Sequence, residues 1–384
     1  DTINAVLYDL GTEKRVVTLN GGPDGTESVR IRNLADAEDA GDAVNLGQLN
    51  QAIEQNMAHY YSIKSDAAAN YDNAGATGQE SIAIGPSAAA SGDVSIAVGH
   101  AAVSVGNNAT ALGSNVQARG DNSTVLGYGA IAYDTSTVAI GDHAKSRGVN
   151  SIVIGTRAEA DSQEAGTVDD AIVIGTEADV TADAGIAMGK HAVASATRGV
   201  AIGHTAAARS SSATAVGDRS VASGVNAVAI GTSAHASGGN AQASGTGALA
   251  TGADSIASGS GAAAYAVNGI ALGKGAVSGV WSPDPDKEAD NVNTIAIGTN
   301  ASATAKNSVA IGADSSTEAS YGTSVARYSN IENDDAAAGV VSVGSSGGAG
   351  GQPILRRITN VAGGMDDTDA VNVAQLRAVR NTGW

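Results

Sequence analysis

Ser-Ile-Ala-Ile-Gly stands at residues 81–85, and close copies follow as Ser-Ile-Val-Ile-Gly at 151–155 and Ser-Val-Ala-Ile-Gly at 308–312. The closing glycine of this phrase recurs sixteen times between Gly85 and Gly312, and thirteen of the fifteen intervals equal the one from Gly85 to Gly99. A fixed period of this length is typical of a stacked array, in which each repeat forms one turn against its neighbours. The sequence therefore predicts a mainly β solenoid of parallel, fourteen-residue turns.

The composition agrees with a long, narrow core. Of the 384 residues 51 are glycine, only 3% are aromatic and phenylalanine is absent, whereas compact cores are rich in large aliphatic and aromatic side chains. Cysteine is also absent, so disulfides and thiolate metal sites do not stabilise the chain. The net charge of −18 argues against a nucleic-acid partner, because a phosphate-binding surface needs clustered Lys and Arg.

Each repeat has two kinds of apolar position. The residues one and three before the glycine are mostly Ile, Val or Leu, and the residue between them is Ala in thirteen units and Val in three. Side chains alternate along a strand, so we expect both faces to be buried. We assign the aliphatic residues to the interior of the roll. The alanine face, which includes Ala229 and Ala271, is then expected to form the contact between chains.

The remaining repeat positions predict a second strand and two turns. Small residues stand three and five after the glycine, as Ala88 and Ala90 do, which indicates a second short strand in each unit. Asn stands five before the glycine in eight units, Asn226 and Asn240 among them. Asn favours turns that it caps with its own side chain, so stacked units should place these residues in a ladder.

Two units break the period. Six extra residues enter within 161–169 and eleven within 280–290. Insertions in solenoids emerge as loops on one face and are often binding elements, and the second insertion contains Trp281, a residue type favoured at interfaces. Trp281, Asp284 and Asp286 are therefore candidate ligand-binding residues. Neutral decoration of the surface is the alternative for these loops.

One structural part occurs twice outside the array. Arg-Ile-Arg-Asn-Leu-Ala at 30–35 and Asp-Ala-Val-Asn-Leu-Gly-Gln-Leu at 42–49 return almost unchanged at 357–362 and 369–376, with the same separation. Asp42 and Asp369 precede the apolar pattern of each copy and are candidate helix N-caps.

The first copy leads into a heptad seam. Leu46, Leu49, Ile53, Asn56 and Tyr60 follow one another at alternating spacings of three and four, as in a coiled coil. A helix this short is marginal alone, so Leu46, Leu49 and Ile53 are expected to pack against partner helices. An amphipathic helix lying on its own chain is the alternative.

Asn56 occupies a core position of this seam, where a polar residue commonly fixes register and oligomer state. If three copies meet, their carboxamides could hold an anion or a water molecule on the axis, or hydrogen-bond to one another.

The amino-terminal segment, 1–29, contains three short strand-like runs separated by glycine-rich breaks. Strands this short form no independent core and should pack against other copies of the chain.

The repeat and the duplicated part together resemble a known family. Asn-Ser-Val-Ala-Ile-Gly at 307–312 resembles the head repeat of trimeric autotransporter adhesins of the YadA type, and 357–362 with 369–376 resembles their neck. The resemblance implies a left-handed parallel β-roll in each chain, three rolls packed into a homotrimer, and necks that lead into coiled-coil stalk. It also implies display at the bacterial cell surface, a role in virulence, and binding of host matrix proteins such as collagen, fibronectin or laminin.

Membrane attachment is expected only through the carboxyl-terminal outer-membrane anchor of the family. We find no apolar run long enough for a membrane span and no charged-then-apolar secretory leader at the amino end, and we expect the chain to be a fragment whose anchor lies outside it.

The expected domain organisation follows the chain in order. It comprises a small interleaved β-domain at 1–29, the first neck at 30–45, a short trimeric coiled coil at 46–61, a connector at 62–79, the β-roll head at 80–344, the second neck at 345–376 and the start of a following stalk at 377–384.

The expected function is adhesion without catalysis. The histidines that follow the repeat glycines have no paired nucleophile or recurrent acidic partner, so we expect no catalytic residue, metal site or cofactor. Acyltransferase helices run on a six-residue period, and calcium-binding solenoids on a nine-residue pattern that is missing here. A passive spacer that projects another binding tip from a surface fibre is the alternative function.

Overall fold

The computed structural model describes residues 30–56, 72, 74–162, 166–282, 292–317, 339–347, 352–366 and 369–381. The chain divides into two compact units, Asp1–Lys64 and Ser65–Trp384. Helix α1, Leu46–Asn56, belongs to the first unit, and the second contains a β-solenoid and helix α2, Val373–Asn381. The strands predicted within residues 1–29 lie outside the described residues.

The described part of the solenoid consists of two parallel sheets. Each of the regular turns contributes one strand to each sheet, and the closing strand β33, Val341–Ser342, which follows the last repeat glycine Gly312, belongs to the first sheet only. The first sheet contains the strand that precedes each repeat glycine: β1 Ile82–Ile84, β3 Ile96–Val98, β5 Thr110–Ser114, β7 Thr124–Tyr128, β9 Val138–Ile140, β11 Ile152–Ile154, β13 Ile172–Ile174, β15 Ile186–Met188, β17 Val200–Ile202, β19 Thr214–Val216, β21 Val228–Ile230, β23 Gln242–Ser244, β25 Ile256–Ser258, β27 Ile270–Leu272, β29 Ile295–Ile297, β31 Val309–Ile311 and β33 Val341–Ser342.

The second sheet contains the predicted short strand after each glycine: β2 Ala89–Ala90, β4 Val103–Ser104, β6 Gln117–Ala118, β8 Ile131–Ala132, β10 Lys145–Ser146, β12 Glu159–Ala160, β14 Asp179–Val180, β16 Val193–Ala194, β18 Ala207–Ala208, β20 Val221–Ala222, β22 His235–Ala236, β24 Leu249–Ala250, β26 Ala263–Ala264, β28 Val277–Ser278, β30 Ser302–Ala303 and β32 Ser316–Thr317. Equivalent residues of successive turns are paired, as Ala229 is with Ala243. The predicted parallel β-solenoid is therefore confirmed, and its left-handedness stays a prediction.

The repeat glycine is required at the corner between the two strands. Gly231 has φ 127°, a conformation that residues with a side chain rarely adopt. A Cβ added there would lie 2.6 Å from the carbonyl oxygen of Gly245, one turn further along. Successive corners therefore touch backbone to backbone, which explains why the period is marked by glycine.

The opposite turn carries the predicted asparagine ladder. Asn226 and Asn240 have φ values of 57° and 55°, in the left-handed region that Asn tolerates better than most residues. The Nδ2 atom of Asn226 donates to Oδ1 of Asn240 at 3.0 Å, and Nδ2 of Asn240 donates to Oδ1 of Asp254 at 2.9 Å. The ladder prediction is confirmed, and the side chains link consecutive turns outside the sheets.

The interior of the roll is lined by small side chains. In the turn around Gly231 the inward residues are Ala227, Ala229, Ala234 and Ala236, and each is 0% exposed. Ala271 is equally buried in this interior. The prediction that Ala229 and Ala271 contact neighbouring chains is therefore wrong, because both are enclosed by the sheets of their own chain.

The aliphatic residues of the same strands point outward. Ile230 is 46% exposed and Leu272 is 45% exposed. The assignment of these residues to the interior is also wrong, since two strands joined by tight turns leave room only for small side chains between the sheets. Within one chain the alanine face is buried and the aliphatic face is not, so the expectation of burial holds for the alanine face only.

The carboxyl-terminal end of the roll is closed by an atypical turn. Strand β33 pairs with β31, so Val341 lies opposite Val309. From the segment that follows, the Arg356 side chain donates to Oγ of Ser315 at 2.9 Å, to the carbonyl oxygen of Val343 at 2.6 Å, and to that of Ala313. This guanidinium satisfies carbonyl groups that no further turn covers in the described part of the roll.

The two copies of the duplicated part share one hydrogen-bond pattern. Asn45 Oδ1 accepts from the backbone N of Gln48 at 2.9 Å, and the Gln48 amide bonds both the N and the O of Ala37 at 3.0 and 3.2 Å. In the second copy Gln375 bonds Gly364 N and O in the same way, both at 2.9 Å. Each glutamine thus fastens the preceding loop to the start of a helix.

The helix N-caps are asparagines. Asn45 and Asn372 stand immediately before the helices, and Asn372 Oδ1 accepts from the backbone N of Gln375 at 3.1 Å. The prediction of N-caps at Asp42 and Asp369 is wrong, because both carboxylates face back into the loop.

The Asp42 carboxylate shows what these aspartates do instead. It accepts from Glu38 N and Asp39 N, each at 3.0 Å. The backbone N–H groups of Asp39 and Glu38 hold the pKa of Asp42 below its ordinary value. The aspartate therefore closes the acidic loop and leaves the helix start to asparagine.

The size limit inside the roll gives a first prediction. Replacing Ala229 by Leu inserts three carbon atoms into a closed interior and should lower the free energy of unfolding by about 1–3 kcal/mol. The measurement is thermal unfolding followed by circular dichroism at one protein concentration. Val221→Leu, which enlarges an outward side chain of β20, is the matched control. An unchanged midpoint for Ala229→Leu together with an altered molecular mass would restore its role as a subunit contact.

Candidate functional site

The outward side chains of the first sheet form an apolar band along the roll, which we call the aliphatic face. They occupy the positions one and three before each repeat glycine. Because the strands pair in register, each lies beside the equivalent residue of the next turn. The well-exposed apolar members are Ile82, Leu112, Leu126, Ile152, Ile154, Ile174, Met188, Ile202, Ile230, Ile256, Leu272, Ile297 and Ile311. Large continuous apolar surfaces of this kind are usually covered by a partner.

The aliphatic face is interrupted at two neighbouring turns. Ser244 in β23 and Ser258 in β25 place hydroxyl groups where every other regular turn has Ile, Val, Leu or Met, and Gln242 in β23 stands at a position that is otherwise aliphatic or Thr. The inward residues of these turns, Ala243 and Ala257, remain buried. These two turns therefore keep the fold and change only the chemistry of the outer surface.

The outward side of the second sheet is chemically different. Lys145, Glu159 and Asp179 lie opposite one another on consecutive strands, and Nζ of Lys145 is 2.7 Å from Oε1 of Glu159. Lys145 also pairs with Asp161, whose Oδ1 lies 3.5 Å from Nε of Arg147. Two cations and three carboxylates thus share one patch at the base of the first insertion.

An aromatic stack extends this charged patch. The guanidinium carbons of Arg119 and Arg147 lie 4.9 and 4.6 Å from the centre of the Tyr133 ring. A cation over an aromatic face is attracted to the negative ring surface. The two arginines come from turns on either side of Tyr133, so the repeat itself builds the Arg–Tyr–Arg stack.

The carboxylate of Asp179 has a raised pKa. Burial, reinforced by the nearby charges of Glu159 and Asp161, raises it from 3.8 to about 6. A like charge and a low-dielectric setting both oppose ionisation. Asp179 is therefore held in the roll at an energetic cost whenever it is ionised.

The predicted ligand-binding residues lie at the second insertion. Trp281 is 63% exposed and its neighbour Val280 is also exposed. Asp284 and Asp286 lie outside the described residues. At the first insertion, Oγ of Ser162 donates to the carbonyl oxygen of Gly166 at 2.5 Å, and Val168 is buried where the chain re-enters the roll.

The predicted coiled-coil seam is accessible within the first unit. Leu46, Leu49 and Ile53 are 71%, 50% and 51% exposed on helix α1. Asn56 is the last residue of this helix, and the prediction for its side chain lies outside the described residues. The apolar seam is available to a partner helix, as the heptad spacing requires.

Neither of the two helices in the described ranges combines the length and hydrophobicity needed to cross a membrane. Nor does that part of the chain contain a group of three or more His, Cys, Asp and Glu side chains arranged to hold a metal ion.

Two family models match the chain. The model described as the coiled stalk of trimeric autotransporter adhesin matches residues 30–74 and 357–382. The model of the YadA head domain repeat, each match holding two copies, covers 76–102, 90–115, 118–144, 181–206, 194–220, 208–234, 222–248, 250–276 and 289–315. Stalk and head models together account for well over half of the chain.

The chain belongs to the trimeric autotransporter adhesins. The predicted recognition is thereby confirmed from both the array and the duplicated part. A search of the curated proteins gives no match. Among solved structures, the crystal structure of the collagen-binding domain of the Yersinia adhesin YadA is similar, with 23% identity over 61% of this chain and 84% of that one and a TM-score of 0.23.

Sequence reasoning on this adhesin missed the charged patch. Lys145, Glu159 and Asp179 each stand four residues after a repeat glycine in three consecutive turns. Once it is known that side chains at this position point outward, three consecutive charged residues there predict a charged surface patch. Without that knowledge they could not be distinguished from scattered surface charge.

The raised pKa of Asp179 gives a second prediction. Its contribution to stability is fully present below pH 4 and is lost as the pH rises through about 6, because the folded chain then holds an unfavourable charge. Asp179→Asn should therefore raise the thermal unfolding midpoint at pH 7.5 and change it little at pH 4. Equal effects at both pH values would contradict the raised pKa.

Proposed function

We propose that the chain is the head of a bacterial surface adhesin, in which three copies associate through the aliphatic face and the remaining outer surfaces attach to molecules of the host matrix. The observation that carries the proposal is the half-exposed aliphatic face on a roll built from the head repeat of this family. In a monomer this apolar face would stay in contact with water. In a trimer each of the three copies would bury it against its neighbours.

The seam of helix α1 supports the same assembly independently. Leu46, Leu49 and Ile53 are exposed on a helix of 11 residues, too short to be stable alone. Three such helices would bury the seam in a coiled coil, with Asn56 at its end as the proposed holder of an axial anion or water. The hydrogen bonds that Gln48 and Gln375 make to the preceding loop would then fix where each helix starts.

Attachment is assigned to surfaces other than the aliphatic face. Trp281, exposed at the start of the second insertion, is the leading candidate, with Asp284 and Asp286 close to it in the sequence. Collagen, fibronectin and laminin are the matrix proteins proposed as ligands, in keeping with the family. We place the protein at the outer membrane of the bacterium, held there by an anchor of the family type.

A passive spacer is the second candidate function. The two insertions depart from a uniform repeat, and insertions in solenoids are often binding elements, so they favour a binding surface over a simple rod. In a spacer, the outer loops would be free to vary without effect on attachment.

Assembly through the aliphatic face is tested by placing charge on it. Ile202→Asp combined with Ile230→Asp would set six carboxylates in a trimer contact, and these would repel one another without replacing any inward residue. We expect the wild-type chain to have the mass of a trimer by light scattering at micromolar concentration, and the variant that of a monomer with unchanged circular dichroism. Val193→Asp with Val221→Asp, on the outward side of the second sheet, is the matched control and should remain trimeric. A monomeric wild type, or a trimeric double variant, would contradict the assignment.

Matrix attachment is tested with purified protein on immobilised collagen, fibronectin and laminin. We expect saturable binding to at least one of them and a loss of about tenfold or more in affinity for Trp281→Ala, since aromatic anchors dominate many interfaces. Tyr128→Ala, which removes another exposed aromatic ring, is the control. Absence of saturable binding to all three would favour the spacer.

A further inference from the structure

Two histidines from neighbouring turns face each other on one edge of the roll. His204 directly follows the repeat glycine Gly203, whereas His191 is the second residue after Gly189. Their ring centres are 6.4 Å apart, with the ring planes inclined at 67°. Both side chains are partly exposed, so each ring can be reached from solvent.

Each imidazole is held by a carboxylate at its Nδ1 atom. Nδ1 of His204 lies 2.8 Å from Oδ1 of Asp218, and Nδ1 of His191 lies 3.1 Å from Oε2 of Glu177. An ionised carboxylate only accepts hydrogen bonds, so it favours the tautomer with the proton on Nδ1. The lone pair of each ring is then on Nε2.

Both carboxylates are themselves fixed by arginines. Arg157 pairs with the other oxygen of Glu177, and Nη2 of Arg219 lies 3.0 Å from the other oxygen of Asp218. The result is a symmetric row along the edge: arginine, carboxylate, histidine, then histidine, carboxylate, arginine. A carboxylate behind an imidazole is the usual outer-shell arrangement of metal-binding histidines, where it orients the ring and raises its basicity.

We propose that His191 and His204 bind a divalent transition-metal ion such as Zn²⁺ between their Nε2 atoms. A Zn–N bond of about 2.0–2.1 Å places the centre of an imidazole roughly 3.2 Å from the ion, so two rings on one ion have centres up to about 6.4 Å apart. The observed separation of 6.4 Å is at this limit. At a tetrahedral angle the two centres would lie about 5.2 Å apart, so the exposed side chains must approach each other by about 1 Å to share one ion. Because no third protein ligand is arranged beside them in the described ranges, water completes the coordination.

The surrounding charge sets the strength of the site. The two carboxylates are balanced by their arginines, and Lys190, adjacent to His191 in the sequence, acts on Glu177 as a further positive charge. A cation therefore gains little from long-range attraction, and the binding energy comes from the two nitrogen ligands. We expect micromolar affinity, with Ni²⁺ and Cu²⁺ also accepted, since imidazole suits all three ions.

The site was not readable from the sequence alone. The separation of His191 and His204 is one less than the repeat period, so they occupy different positions of their repeats. Only the stacking of turns shows that these two positions are diagonal neighbours. The expectation of no metal site was based on the lack of a recurrent acidic partner in the sequence, whereas the stacked turns bring Glu177 to His191 and Asp218 to His204.

The experiment is calorimetric titration of the chelator-treated chain with ZnCl₂ at pH 7.5. We expect one site per chain, a loss of affinity of at least tenfold for His191→Gln and for His204→Gln, and a loss of about tenfold for Glu177→Gln through the outer shell. His143→Gln is the matched control, because His143 also follows a repeat glycine and lies 2.6 Å from Asp142, and it should bind like the wild type. Lys190→Gln should bind several times more tightly.

The proposal would be overturned if millimolar Zn²⁺ gave no heat of binding, or if the double variant His191→Gln with His204→Gln kept the wild-type affinity. It would also be overturned if His143→Gln lost as much Zn²⁺ affinity as the variants of His191 and His204. Circular dichroism of each variant separates a lost site from a lost fold. The outcome does not depend on trimer formation or matrix attachment, so it leaves the proposed function untouched in either direction.

Discussion

The narrow space between the two sheets is the constraint on which the rest of the structure depends. Only small side chains fit there, and size outweighs polarity: the hydroxyl oxygens of Ser146 and Ser255 are buried without a hydrogen-bond partner among the described residues. An unpaired buried hydroxyl costs about 1–3 kcal/mol, yet a serine is accepted where a leucine could not enter. The bulky aliphatic residues of each repeat have no place inside, so they form the outer surface. An apolar outer surface then requires a partner.

Contacts between equivalent residues of successive turns explain why this roll tolerates insertions. Ile152 pairs with Ile172 across the first insertion, and Ile270 pairs with Ile295 across the second, in the same register as the regular turns. After each insertion the chain therefore resumes the roll in the register of the preceding turn. The asparagine ladder even spans the second insertion, since Nδ2 of Asn268 donates to Oδ1 of Asn293 at 3.0 Å. Loops can therefore vary at little cost to the sheets, which suits a scaffold that presents binding elements.

The period, the corner glycines, the second strand and the asparagine ladder could be predicted from the sequence, because each depends on local chemistry repeated at a fixed spacing. The direction of the side chains could not. Alternation states that Ala229 and Ile230 face opposite ways, but it does not state which way is inward. The better signal was the narrow range of sizes at the alanine position, compared with the tolerance of Ser244 and Ser258 beside it. A closed interior limits size, and an outer surface does not. The helix caps failed for a related reason, since Asp42 and Asn45 are both good capping residues and only the loop geometry decides between them.

The reversed assignment of the faces changes the meaning of every departure from the repeat. A substitution at an inward position alters whether the turn can form, so such positions carry little besides Ala, Ser, Thr, Gly and Val. A substitution on the aliphatic face, such as Gln242 or Ser258, leaves the turn intact and weakens only what packs against it. Outward side chains of the second sheet and of the turn edges, where Lys145, Tyr133 and the two facing histidines lie, belong neither to the interior nor to the aliphatic face. Fold, assembly and recognition thus use different positions of the same repeat unit. A single repeat can vary its outer chemistry turn by turn while the backbone of the roll stays constant.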